Sequence, residues 1–269
     1  MRKHFQHLAL IAAFAVQSSV AFAGAWTMPE GHAQMISSIF VSHAGHSFDD
    51  SGNASIGVDY SKYLSQLYIA YGAFDGITVL LEPEYAIARQ GPEGGPDVSA
   101  KALAIGGGVQ ARVLDDDYGV LSVEALFKSA GAFDTNVSVN KEAGQQFEFR
   151  ALYGTNFPVF DKTAFADFEV GERVIAGGRP NETPIDLTVG LHITDGLMVL
   201  AQNFNVIAGG DAELPYSYYR SHKIQLSAVQ HLWGHASLQA GIFISPAGQN
   251  SLKEEGLTFS FWDELSADD

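Results

Sequence analysis

The sequence predicts an all-β protein: a closed antiparallel up-and-down transmembrane barrel of about twelve strands, preceded by a signal peptide. Three observations predict it. Residues 62–87 (KYLSQLYIAYGAFDGITVLLEPEYAI) hold two alternating runs joined by the tight turn Ala73-Phe74-Asp75-Gly76. Similar runs recur along the whole chain, and their connections alternate strictly between short and long. After residue 23 no apolar run approaches the roughly 18 residues that a spanning helix needs, so a membrane location requires a barrel.

The hairpin sets the pattern. Leu67, Ile69 and Tyr71 share one face of the first arm and Gln66, Ala70 and Gly72 the other. On the second arm Val79, Leu81, Tyr85 and Ile87 oppose Thr78, Glu82 and Glu84. A period of two is that of a strand. An apolar, partly aromatic face backed by two carboxylates fits a strand between lipid and a watery lumen.

Arg2, Lys3 and His4 precede an apolar run from Leu8 to Val16, and Ala21-Phe22-Ala23 has the small-x-small form of a cleavage site. Residues 1–23 therefore read as a secretory signal peptide and residues 24–269 as the barrel. The chain of 269 residues has no Cys, which excludes both a lipid-anchored N-terminal Cys and any disulfide in the oxidising compartment beyond. Loss of Arg2 and Lys3 leaves 13 basic against 31 acidic residues, a balance that argues against nucleic acid as a partner.

Strands are predicted over about 32–43, 63–73, 77–89, 100–113, 120–129, 146–157, 164–174, 185–193, 197–207, 219–232, 236–245 and 256–265. Each is on the order of the nine to eleven residues that a tilted strand needs to cross a bilayer. Short turns fall at 73–76, 114–119, 158–162, 194–196 and 233–235. Links rich in Gly, Pro, Asp and Asn fall at 45–61, 90–99, 130–144, 176–184, 209–218 and 246–255. Both termini then lie on the short-turn side, as in outer-membrane barrels, and an even strand count lets the last strand close on the first.

The alternation assigns the faces. Outward candidates include Leu103, Ile105, Val109, Val113, Phe147, Phe149, Phe168, Leu187, Ile242, Leu257 and Phe259, none of them charged. Trp26, Tyr63, Tyr71, Tyr85, Tyr153, Tyr219 and Trp233 lie near strand ends, where interfacial aromatic girdles sit. The inward set is Glu82, Glu84, Gln110, Arg112, Glu124, Lys128, Glu148, Arg150, Asp167, Glu169, Arg173, Asp186 and His192, from consecutive strands three to eight. They predict a charged wall facing an uncharged polar one of Gln225, Ser227, Gln239, Thr258 and Ser260. Interleaved Arg and carboxylates suit either a paired network that fills a narrow lumen or a constriction that selects solutes by charge.

Catalysis needs a nucleophile or metal constellation. His43, His46 and Ser47 end the first strand and Ser221-His222 begins the tenth, yet no hydrolase motif surrounds them. His43, His46, Asp49 and Asp50 form only a loose ligand set. Gly106-Gly107-Gly108 lacks the Lys-Ser/Thr and helix of a phosphate loop and reads as relief of crowding within a strand. The expectation is no enzyme, no cofactor and no metal.

Residues 25–34 (AWTMPEGHAQ) and 219–227 (YRSHKIQLS) resemble a group of small proteobacterial outer-membrane barrels, loosely related to the transporters named for the MetA pathway of phenol degradation. The stretch from Tyr71 to Thr78 is similar to their recurring Tyr-Gly-(two residues)-Asp hairpin. The resemblance covers most of the mature chain and implies the barrel fold and, by analogy, transport. Such barrels often end on an aromatic residue that marks the last strand for assembly. Here Phe259, Phe261 and Trp262 are followed by Asp263-Glu264-Leu265 and an acidic tail, with Leu265 in the parity of the terminal aromatic.

The expectation is thus a passive channel or uptake protein of a Gram-negative outer membrane. Its partners are outer-membrane lipid, the barrel-assembly machinery and a small-molecule solute, aromatic or otherwise poorly soluble ones among them. Competing expectations are a structural barrel with a plugged lumen and an interfacial lipid hydrolase using His43 or His222. A soluble lipocalin-like barrel is the rival fold.

Overall fold

A computed structural model describes residues 24–129, 144–209 and 218–266. The predicted signal peptide, most of links 130–144 and 209–218 and the end of the acidic tail lie outside the described residues. Twelve strands form: β1 (Ala33–Ser47), β2 (Ile56–Phe74), β3 (Ile77–Pro92), β4 (Val98–Asp116), β5 (Gly119–Lys128), β6 (Gln146–Val159), β7 (Lys162–Ile175), β8 (Glu182–Thr194), β9 (Leu197–Ala208), β10 (Arg220–Trp233), β11 (Ala236–Gln249) and β12 (Glu255–Leu265). Each pairs antiparallel with its chain neighbours, and β12 closes on β1 from Ala33↔Leu265 to His43↔Glu255. Closure leaves no unpaired edge, which lipid would not tolerate. Leu265 stands at one end of that pairing, opposite Ala33.

The five short connections fall where predicted. Gly76 (φ 71°) supplies the left-handed residue of the β2–β3 turn, a conformation that costs a side-chain-bearing residue more. Strand ends differ on the long-loop side, where β2 starts seven residues before the predicted Tyr63 and β11 runs four past Ser245. There the strands outrun the apolar belt, so polar residues continue the ladder and hydropathy gives no sign of it. Pro246 is accommodated because the β10–β11 register shifts between His222 and Ile224, where a missing N–H breaks no pairing.

The outward belt is apolar, with Leu103 65%, Phe149 62% and Ile242 57% exposed. Tyr63, Tyr71, Tyr85, Tyr153 and Trp233 are exposed as girdle residues should be. Trp26 and Tyr219 are not: Trp26 packs inside against a lumenal cluster and Tyr219 is 3% exposed. Each precedes its strand, so strand parity did not govern it. A continuous apolar belt far exceeds the patches that water-soluble monomers expose, which counts against the lipocalin-like rival.

Candidate functional site

Strand register builds the charged wall. Glu124 lies opposite Arg150, Glu148 opposite Arg173, Glu169 opposite Asp186 and Arg173 opposite Glu182. Alternation turns all these side chains inward, and pairing makes neighbours of residues far apart in sequence. The Arg150 guanidinium bonds Glu148 through Nε, and its Nη1 donates to Glu169 (2.6 Å) and Asp186 (3.0 Å). Arg173 donates to Glu148 and Glu182, both at 2.6 Å. Lys128 Nζ is 3.0 Å from Glu84 Oε2, which also accepts from Gln66 Nε2 at 3.4 Å. Planar, multi-donor guanidinium groups suit such carboxylate clusters better than ammonium groups.

The other predicted residues take varied places. Glu82 and Glu124 face a cavity near the short-turn end, where Asp167 is also buried. Arg112 stands at the rim, donating to Asp75 at 2.7 Å and Asp115 at 3.2 Å. His192 is half-buried near the β8–β9 turn, beside Met198 in register. The Gly run relieves crowding: a Cβ on Gly108 would come within 2.2 Å of the Ala125 carbonyl oxygen, and one on Gly106 within 3.2 Å of Glu82 Cβ.

Gln225, Ser227, Gln239, Thr258 and Ser260 are all buried on the facing wall. Gln239 Nε2 donates to Ser227 at 2.8 Å, and its carbonyl accepts from Trp262 Nε1 at 3.1 Å. A lumenal apolar cluster of Phe165, Met198, Leu200, Val229 and Trp262 reaches from β7 to that wall, with Trp26 and Ile36 against it. The parity that turns Asp167, Gln202 and Ser260 inward also assigns Phe165, Leu200 and Trp262, so the signal was present. An expectation of a wholly polar lumen hid it.

Chain segments occupy both ends. From the short-turn side, residues 24–32 run into the lumen. Gln110 Nε2 donates to the Gly24 carbonyl (2.7 Å), the Ala25 amide to Asp167 (2.7 Å), Ser122 Oγ to the Ala25 carbonyl (2.5 Å) and the Met28 amide to Thr78 Oγ1 (2.7 Å). Trp26 meets Phe165 edge to face at 5.9 Å. Gly72 exchanges backbone hydrogen bonds with Gly31 and His32 at 2.8 and 2.9 Å. Nothing in strand periodicity announces a segment that satisfies its backbone on inward side chains.

At the opposite end the β11–β12 connection turns inward, and Leu252 packs with Ala44, Tyr60 and Ala88. Glu254, 2% exposed, lies 2.9 Å from both Lys62 Nζ and Lys223 Nζ and accepts from Ser42 Oγ at 2.5 Å. Burial alone raises its pKa, but the two ammonium groups outweigh that and hold it at about 2. Lys62, Lys223 and Glu254 extend charge beyond the predicted wall. The two lysines share the inward parity of their strands, but Glu254 lies in a link where no parity could be read.

Between these ends lie two cavities, of about 450 and 410 Å3, meeting at Arg150, Arg173, Lys128 and Gln146. The larger is lined by Phe165, Leu200, Phe204 and Trp262 together with Arg150 and Asp186, and Asp186 pairs with Phe204 across β8 and β9. A solute there would meet apolar and charged surface together.

The hydrolase candidates separate. Ser221 is buried inward whereas His222, next along the strand, points to the opposite face and bonds Asn205 Oδ1 at 2.7 Å. His43 meets Glu255 at 3.0 Å in an exposed pair. Asp49 organises its own loop, accepting from the Ser51 and Asn53 amides and from Ser55 Oγ at 2.6 Å. Those hydrogen bonds, the Ser55 hydroxyl first, lower its pKa. Among the described residues no three His, Asp or Glu side chains converge as metal ligands.

No family model and no curated protein matches the chain. Solved structures do. An outer membrane channel from Pseudomonas putida F1 superposes with a TM-score of 0.67 at 12% identity, over 90% of this chain and 98% of that one. The translocator domain of the autotransporter NalP from Neisseria meningitidis gives 0.54 at 12% identity, over 88% and 89%. LpxR from Salmonella typhimurium gives 0.54 at 9% identity, over 86% and 99%. The fold is therefore that of the outer-membrane β-barrels. One expectation is corrected by these likenesses: the chain was expected not to be an enzyme, but LpxR, an outer-membrane enzyme, has this fold. A barrel with a polar lumen gives no ground for that exclusion.

Proposed function

We propose that the chain resides in a bacterial outer membrane and admits small solutes to its lumen as a passive channel or uptake protein. In this reading residues 1–23 are cleaved on export, the barrel-assembly machinery inserts the mature chain, and its relatives include the transporters of the MetA-pathway group. The observation that carries the reading is the pair of cavities joined at Arg150 inside a closed barrel with an apolar exterior. The apolar cluster beside the charged wall suits aromatic or otherwise poorly soluble solutes. Glu82, Glu84, Glu124, Glu148, Asp167, Glu169 and Asp186, against Lys128, Arg150 and Arg173, set a weak cation preference, with Arg112 and His192 nearer the rim.

Planar-bilayer conductance tests this. The reading expects a small cation-selective conductance whose selectivity falls in Glu82→Gln with Glu84→Gln. Unchanged selectivity would remove the acidic wall from the account. A second reading, a structural barrel with a plugged lumen, is favoured by residues 24–32 and by the completeness of the Arg150 and Arg173 pairing. It expects no conductance at all.

A further inference from the structure

The acidic end of the lumen has more negative charge than its own cations engage. Lys128 is taken by Glu84, and Arg150 and Arg173 by Glu148, Glu169, Asp186 and Glu182. Glu82 and Glu124 remain, lining the smaller cavity together with Glu169 and, from the N-terminal segment, Gly24. Asp167 lies against Gly24 as well. A Cβ on Gly24 would fall 2.1 Å from the Asp167 carboxyl carbon, and the residue has a φ of 85°. Only glycine fits there on both counts. Residues 24–32 are held by four strands' side chains and by Gly72, so Gly24 is placed rather than trailing.

We propose that this end of the lumen is a binding site for the chain's own mature N-terminus: cleavage after Ala23 turns the Gly24 nitrogen into an ammonium group that docks among Asp167, Glu124, Glu169 and Glu82. Cleavage supplies a positive charge where carboxylates are in excess, and hydrogen bonding by the buried ammonium offsets its desolvation. The ammonium group thus anchors the free end of residues 24–32 inside the short-turn mouth. This rests on cleavage after Ala23 and not on passage of any solute.

The test uses the full mature chain purified from outer membranes, its N-terminus established by intact mass. A small amine-reactive reagent is applied at neutral pH, and modification of the N-terminal peptide is followed by mass spectrometry in folded and urea-unfolded protein. The folded α-amine is expected to react more than about tenfold more slowly, the factor that a segment held closed by about 1.4 kcal/mol imposes. A variant that retains Ser-Gly-Ser before Gly24 after cleavage, and Asp167→Asn, should both approach the unfolded rate while their unboiled gel bands still report a closed barrel. Equal rates in folded and unfolded wild type, equal protection in either variant, or a mature chain that starts elsewhere than Gly24 would each overturn the proposal.

Discussion

Glu254 offers a quantitative test of how the outer end of the lumen is held. It lies in the β11–β12 connection, outside the strands, with Lys62 and Lys223 each 2.9 Å away and almost no exposure. Its folded pKa of about 2 stands against an ordinary value of 4.5 for an unfolded chain. At about 1.4 kcal/mol per pH unit, that difference is worth about 3 kcal/mol of stability. Because the folded value is depressed, the contribution is fully present above the unfolded pKa. It is lost as pH falls from about 5 through 4.5 towards 2. Glu254→Gln keeps the shape and removes the charge, so it should lose about 3 kcal/mol at pH 7, and more if the two buried ammonium groups cannot relax. Wild type and variant should converge as pH approaches 2. Urea titrations in detergent micelles, read by tryptophan fluorescence at several pH values, measure the gap. A difference under about 1 kcal/mol at pH 7, or one that stays constant down to pH 2, would refute the reasoning.

Other perturbations probe the remaining layers. Arg150→Met takes the guanidinium from Glu169 and Asp186 and leaves Glu148 with Arg173 alone, and should cost about 3–5 kcal/mol, seen as a lower temperature at which the compact gel band unfolds. Gly72→Val puts a Cβ within 1.9 Å of the Pro29 carbonyl oxygen, so it should dislodge residues 28–32 and raise conductance while the barrel stays closed on the gel. Phe149→Arg places charge on the outward belt and should cost about 2–4 kcal/mol in lipid, against little effect if water bathes that face. Each effect follows a different contact, so a failure of one leaves the others standing.

The strands were legible because lipid and lumen impose opposite demands on successive residues. Lys62 to Ile87 shows this plainly, since Val79, Leu81 and Tyr85 face out while Glu82 and Glu84 face in. The pairing of Arg150 with Glu169 and Asp186 was legible only as a shared wall. Register, which the sequence does not print, decides which acid meets which base. Glu254 and the Trp26 segment were not legible, because their placement depends on side chains of distant strands rather than on period. Phe165 and Trp262 were readable by parity but contradicted the expectation of a polar interior. The Ser221 and His222 pairing fails for the same geometric reason that made the strands readable: adjacent residues point to opposite faces.

The central claim is a closed barrel in the outer membrane that surrounds a lumen. Gel migration of the mature chain from fractionated cells, boiled against unboiled, tests it most directly. The account predicts a faster unboiled band confined to the outer-membrane fraction. Recovery in the soluble periplasm with no shift on boiling would contradict it, leaving the strand pattern intact but its apolar face turned to something other than lipid.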